Sequence, residues 1–361
     1  MKKDSIQYKR FLANRAKKFA CQRKRWKAWK ATRNRRYHSV SKLEREELAV
    51  QDRFSDYVWI KPPVNFSLIT NTEDSLAFIS KLERRFDIHQ KVFVNLSDVE
   101  TIAHGALVVL LSIMKKFRAN NIGFNGYMPK KPLAYRILKE SGFFSELYSN
   151  KSHSLESYRL EKPYFFTHSS KIVDQQLSAS LIESMSNLIW GEPRRCTKLQ
   201  RVYIELMQNT NNHASLEGHG KQHWWTTAIY DKERNTGCFS FIDYGVGILK
   251  SLKNDQRNKF YSVLEKISRI FHPQSNADLL RLLMTGEIHR TASGAYYRGK
   301  GLPGIYQACE DNNISHLVVI SNDTICNFAD NSFKLLKNKF SGTFVYWELT
   351  ATNNNFANKA V

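Results

Sequence analysis

The first thirty-six residues carry fifteen Lys or Arg and a single acid, Asp4, a local charge of +14. No hydrophobic core absorbs that density of unpaired cations, so the segment stays in water or lies against something anionic. The whole chain of 361 residues has a formal net charge of +22, which leaves only +8 for the remainder. Pro and Gly are absent before Pro62, so a long helix is sterically allowed. Residues 1–48 are therefore expected to form a basic helical arm, with Lys42 to Leu48 its acidic continuation or a second short helix. Phe11, Phe19, Trp26 and Trp29 are interleaved among the cations. Arg23, Lys24, Arg25, Lys27, Lys30, Arg33, Arg35 and Arg36 are the candidates to neutralise the phosphates of DNA or RNA, with Trp26 and Trp29 able to stack on bases. An anionic membrane surface, a cleaved transit segment and a plain solvated arm are the competing readings.

Apolar residues make up 42% and aromatics 12%, too many for a chain disordered throughout. The longest nearly apolar run, Ile102 to Met114, is shorter than the ~18–20 residues of a bilayer span, so no transmembrane segment is expected. No apolar stretch of the secretory type follows the charged beginning. Cys21, Cys196, Cys238, Cys309 and Cys326 are scattered without a C-x-x-C pair, so neither a zinc site nor a disulfide framework is expected and a reducing cytoplasm is the expected location.

Residues 49–150 alternate strand and helix signals, which predicts a small α/β domain of βα units. Strands are predicted at Asn65–Ile69, Lys91–Leu96 and Ile122–Tyr127, and helices at Glu73–Phe86, Gly105–Phe117 and Ala134–Glu140, the last closed by Gly142. Residues 151–175 read as a linker, and residues 176–350 as a second α/β domain. Its expected elements are a helix to Ile189, a helix from Lys198 to Ala214, and strands Gln222–Tyr230 and Gly237–Asp243 about an Asn235-Thr236-Gly237 turn. A helix over Leu302–Cys309 and strands Leu317–Ser321 and Gly342–Leu349 complete it, and residues 351–361 read as a disordered tail.

Three segments of this second domain carry candidate chemistry. Glu205, Asn209 and His213 recur every four residues, on roughly one helix face. A carboxylate and an amide one turn apart suit a base and a metal-coordinating oxygen beside a phosphate chain; a solvated polar stripe is the alternative. In Phe241-Ile242-Asp243-Tyr244-Gly245-Val246-Gly247, an apolar strand runs into two glycines that let the backbone approach a flat ligand. Asp243 could accept an amino hydrogen bond such as adenine offers, or simply cap a tight turn. Gly299-Lys300-Gly301-Leu302-Pro303 opens a helix whose free N–H groups would face phosphate.

Taken in order, these segments resemble the GHKL ATPase superfamily of gyrase, mismatch-repair ATPases, ninety-kilodalton chaperones and histidine kinases. Glu205-x-x-x-Asn209 is similar to its N box, Asp243-x-Gly245-x-Gly247 to its first glycine box, and Gly299-x-Gly301-Leu302 to its second. Gly342-Thr343 resembles the closing Gly-Thr. The resemblance implies a Bergerat-type two-layer α/β sandwich with a mixed sheet, binding ATP and Mg²⁺. By the same resemblance, Asn209 would hold Mg²⁺ and Glu205 would orient or deprotonate the attacking water. Asp243 would bind the adenine amino group, supported by Thr343, while Gly245 and Gly247 admit the base. Gly299, Lys300, Gly301 and Leu302 would cradle phosphate, residues 249–298 would form the lid, and His213 would support its helix end. The Gly-Leu-Pro-Gly wording of the second box departs from the more usual repeated Gly-Leu.

Residues 64–150 resemble a STAS domain, the fold of anti-sigma-factor antagonists, through Val92–Val99, Ile102–Leu107 and the Arg136-to-Phe143 segment. The loop that carries a phosphorylatable Ser in those proteins reads Thr101 to Ala106 here, without Ser, and His104 reads as structural. The pairing implies an ATP-dependent conformational switch in bacterial regulation or defence. Nucleic acid would be held by residues 1–36, a protein partner by the STAS-like domain, and an ATP-dependent dimer is open to it. The expected chemistry is ATP hydrolysis; an anti-sigma-type protein Ser/Thr kinase and a non-hydrolysing ATP-gated interaction module are the alternatives.

Overall fold

The computed structural model describes residues 6–37, 42–148, 164–169, 173–213, 224–250, 273–287 and 301–353. It divides into two units, Met1–Tyr57 and Val58–Val361. In the first, the Pro- and Gly-free sequence forms α1 (Ile6–Tyr37) and α2 (Lys42–Arg53). Phe11, Phe19, Trp26 and Trp29 are more than half exposed. Lys30 Nζ lies 5.0 Å from the Trp26 ring and Arg15 covers Phe19. The break falls after Tyr57 rather than at residue 48, because α2 runs to Arg53 and ends in a turn.

The second unit begins with a parallel three-stranded sheet in the order β1-β3-β5, built from β1 (Val58–Ile60), β3 (Val92–Asn95) and β5 (Phe124–Tyr127). The crossovers are α3 (Thr72–Asp87) and α4 (His104–Ala119), as right-sized βα units require. A two-residue parallel ladder joins β2 (Asn65–Phe66) to β4 (Thr101–Ile102), and α5 (Pro132–Glu140) and α6 (Phe143–Tyr148) follow. Gly142, at φ 80°, makes the break between these two helices.

The C-terminal elements are β6 (Tyr164–Ser169), α7 (Gln175–Trp190), α8 (Thr197–His213), β7 (Trp224–Asp231), β8 (Thr236–Asp243), α9 (Asn276–Thr285), α10 (Gly301–Glu310), β9 (Ser315–Asn327) and β10 (Ser332–Thr350). The strands form one sheet ordered β6-β7-β8-β10-β9. Every pairing in it is antiparallel, so the expected mixed sheet is corrected: parallel pairing is confined to the N-terminal sheets. β6 lies within the stretch read as a linker.

The expected two layers become four: α7 to α10, the antiparallel sheet, α3 with α4, and the parallel sheet. Phe239, Phe241, Val345 and Trp347 point to one side of the antiparallel sheet, into a core shared with α7, α8, α9 and α10. Trp225, Ile242, Val318, Ile320 and Phe344 point to the other side, into a core shared with α3 and α4. Helix α4 is apolar nearly all round because it is buried between two sheets. Its start approaches so closely that a Cβ on Gly105 would lie 2.9 Å from the Phe344 ring.

The β7–β8 turn occupies Lys232 to Asn235, upstream of its expected place, with Asn235 at φ 47°. Asp231 Oδ1 accepts from the N–H groups of Glu233 and Arg234 and fixes that turn. Gly237 is in the strand, where a Cβ would come within 2.4 Å of Met185 on α7. Asn353, expected in a disordered tail, is buried and donates to the Asn312 carbonyl.

Candidate functional site

β8 delivers Asp243 to the end of the antiparallel sheet, directly opposite Thr343 of β10, which in turn pairs with Ser321 of β9. Strand alternation puts all three on the same side as Phe241 and Val345, facing the layer of α7 to α10. Trp224 of β7 pairs with Asp243 and extends the row. Ser321 Oγ donates to the Gly342 carbonyl at 3.1 Å and lies 3.3 Å from the Thr343 hydroxyl.

The segment after Asp243 is held from both ends. Gly245 N donates to Asp243 Oδ1 at 2.7 Å. Ile248 N donates to Ser321 Oγ, Leu249 N and Lys250 N donate to Asn322 Oδ1, and Asn322 Nδ2 donates back to the Val246 carbonyl. Gly247, at φ 80°, has room for no side chain, since a Cβ would lie 2.6 Å from Asn322. Gly342 admits none either: a Cβ would stand 1.8 Å from the Asp243 carbonyl oxygen. The two glycine-bearing segments are thus interlocked, β8 against β10, and both depend on glycine for it.

Asp243 is half-buried, and protein crowding around its carboxylate pushes the carboxyl up to about 6. The Gly245 N–H opposes that rise. Beside it in the row, the Trp224 indole N–H is buried without a hydrogen-bond partner among the described residues. A desolvated acceptor beside an unused donor, at a sheet end where glycine lets two backbone segments approach closely, is the polar pairing that a planar ligand with an N–H donor and a ring-nitrogen acceptor would match.

α8 and α10 pack against each other on that same face. Glu205 is half-buried and accepts from Arg201 Nε at 2.8 Å, one turn back. Asn209, one turn on, is half-buried as well. α10 opens at Gly301-Leu302 with Pro303 in its first turn, and Leu302 packs against the core. Gly299 and Lys300 lie outside the described residues, as do lid residues 251–272 and 288–300; within the expected lid, Asn276–Thr285 is helical. His213 ends α8. The structure therefore brings Asp243, Gly245, Gly247 and Thr343 together, and sets Glu205 and Asn209 on α8, which packs against the helix that Gly301 and Leu302 open. Among the described residues no group of three or more His, Cys, Asp or Glu is placed to hold a metal, and no helix is long and apolar enough to cross a membrane.

Ser321, Asn322 and Trp224 escape a reading of the sequence. The signal for the first two is Ser321-Asn322-Asp323, a polar interruption of an otherwise apolar strand. At the N-terminal sheet, His104 begins α4 and is half-buried, and desolvation of its ring lowers its pKa to about 4 and keeps it neutral. Arg23, Lys24, Arg25, Lys27 and Lys30 are exposed along α1, and Arg33, Arg35 and Arg36 continue the same helix. No family model, no curated protein and no solved structure matches the chain.

Proposed function

We propose that the chain is a GHKL-type, Mg²⁺-dependent ATPase that works as a nucleotide-dependent switch, its STAS-like N-terminal layer offering a surface to a protein partner and its basic arm holding it to DNA or RNA. The single observation that carries the nucleotide reading is the desolvated Asp243 carboxylate at the end of β8, interlocked through Gly342 with Thr343 and followed by the glycine-dependent turn at Gly247. In this reading Asp243 accepts from the adenine amino group, and Gly245 and Gly247 leave the base space against the backbone. Gly299, Lys300, Gly301 and Leu302 line the phosphates with N–H groups of a helix start. Asn209 contributes an oxygen toward Mg²⁺, which when bound neutralises phosphate charge. Glu205 orients the attacking water; the ion pair to Arg201 holds its carboxylate as an acceptor on the helix surface. The absence of any acid from α1 supports the arm's part in binding a polyanion.

The test is calorimetric titration with Mg-ATP followed by release of labelled phosphate, alone and with nucleic acid. Binding and free phosphate, the latter lost in Glu205→Gln, support a hydrolysing switch. Label on protein instead identifies a kinase, and binding without turnover an ATP-gated interaction module. An Asp243→Asn chain that binds ATP as tightly as the wild type overturns the pocket.

A further inference from the structure

The residue after Asp243 is tied to the other layer of the molecule. Side chains alternate along β8, so Tyr244 turns away from the candidate pocket and toward α4. There its hydroxyl is hydrogen-bonded to Ser112 Oγ, and the Val109 carbonyl lies 3.5 Å away. Ser112 is itself buried and donates to the same Val109 carbonyl at 2.7 Å. The ring leans on Phe340 of β10, with centroids 6.1 Å apart. A second tie lies close by: Ser341, which precedes Gly342-Thr343, donates to Glu83 Oε2 of α3 at 3.3 Å. Glu73 of α3 also accepts from Lys337 N. Both strand ends that form the candidate site are thus anchored, by their immediate neighbours, to α3 and α4.

We propose that Ser112 and Tyr244 are positioning residues for the Asp243–Gly247 segment, so that displacement of α4 by a partner on the N-terminal layer alters nucleotide affinity. The inference rests on the nucleotide reading of Asp243 for its functional half; the mechanical half concerns the chain alone. A phenol hydroxyl in a dry layer is costly to leave unpaired, so its bond to Ser112 selects one position of the backbone that carries Asp243. The Ser112–Tyr244 bond is itself uncharged; of the charged groups near it, Glu73 and Glu83 hold β10 to α3, and burial raises the Glu83 carboxyl while Lys116 offsets part of the rise. Moving α4 far enough to part these two hydroxyls breaks a neutral hydrogen bond and loosens the turn that Gly245 and Asn322 otherwise hold.

The experiment uses the full chain and compares Ser112→Ala, Tyr244→Phe and Ser112→Thr. Native-state hydrogen exchange is read at residues 245–250 against strand residues 224–231, with ATP affinity measured well below the melting temperature. Ser112→Ala and Tyr244→Phe are expected to speed exchange at 245–250 and weaken ATP binding by about tenfold, the cost of one buried hydrogen bond. Ser112→Thr, which keeps the hydroxyl, is expected to restore both. Unchanged exchange at 245–250, or a rise of equal size at 224–231, overturns the coupling whatever the nucleotide does. A wild-type chain that binds no ATP overturns the nucleotide reading, and with it the functional half, while the exchange data still decide whether Ser112 and Tyr244 fix the turn.

Discussion

Replacing Asp243 by Asn should strengthen the fold and weaken nucleotide binding in a single step. The carboxyl is raised from an ordinary 3.8 to about 6 by desolvation, opposed by the Gly245 N–H. At ~1.4 kcal/mol per pKa unit the buried charge costs the unliganded chain roughly 3 kcal/mol at neutral pH, and partial access to water trims this to about 2 kcal/mol. The sign follows from proton binding. The folded state keeps its proton up to about pH 6, whereas the unfolded chain loses it near 3.8. This group's contribution is therefore fully present below pH ~4, is lost as the pH rises to about 6, and stays lost above. Asn cannot ionise, and its Oδ1 still accepts from Gly245, so the variant escapes the loss. Urea unfolding of both chains from about pH 4 to about pH 8 should give nearly equal stabilities at the acid end and a gap of about 2 kcal/mol in favour of the Asp243→Asn chain above pH ~6. Subtracting the two curves cancels every other titrating group. Calorimetry at a pH of about 7.5 should show ATP affinity reduced by more than about tenfold, because an amide in the same place can turn its NH₂ toward the adenine amino group. A stability gap that does not vary with pH, or an Asp243→Asn chain less stable than wild type near neutral pH, would refute the claim that this carboxylate is held desolvated.

Further outcomes are expected elsewhere in the molecule. Gly247→Ala should cost about 2–3 kcal/mol in urea unfolding, from a left-handed backbone plus the displaced Asn322 side chain, which serves three backbone groups. Gly237→Ala should cost about 1–3 kcal/mol by forcing α7 outward at Met185, with ATP binding unchanged in calorimetry. Replacing Arg23, Lys24, Arg25 and Lys27 together with Ser should reduce the salt slope of duplex DNA binding by about 3–4, since each phosphate contact contributes about 0.9. Unchanged salt dependence would remove these four side chains from the interface.

The alternation of elements is readable in the chain because period and punctuation agree. Leu76, Phe78, Ile79 and Leu82 form one buried stripe of α3, and Gly142 breaks the chain where its missing side chain allows. The stacking of layers is harder to read, although α4 announces it: a helix apolar on nearly every side has to be covered on nearly every side, and here a second sheet covers it. The β7–β8 turn falls upstream of its expected place because Gly237, which reads as turn chemistry, owes its small size to the contact with α7. Asp243, Gly245, Gly247 and Thr343 are legible as a set because glycine spacing is local. Ser321 and Asn322 are not, because β9 reaches the site only by pairing with β10, and their side chains bond backbone some seventy residues earlier in the chain. Spacing along the chain carries no information about which strand lies alongside.

A turn-capping aspartate accounts for only part of what surrounds Asp243. One oxygen accepts from Gly245, as such turns require. A cap of that kind is satisfied at the surface, where its other oxygen is solvated at no cost. Here the carboxylate is crowded by protein, and its shift has burial as its largest cause with no cation opposing it. The row continues on one side through Thr343 and Ser321, and on the other reaches Trp224, whose N–H has no partner among the described residues, on a face otherwise filled by Phe239, Phe241, Val345 and Trp347. Apolar side chains at these positions would extend the core and stabilise the sheet; polar ones, unliganded, do the reverse. Polar groups that weaken a fold while sharing one face of a sheet end are candidates for ligand contact. A ligand offering an N–H to Asp243 would recover part of that lost stability as binding energy, so the cost measured in Asp243→Asn and the affinity it removes are two readings of the same desolvated charge.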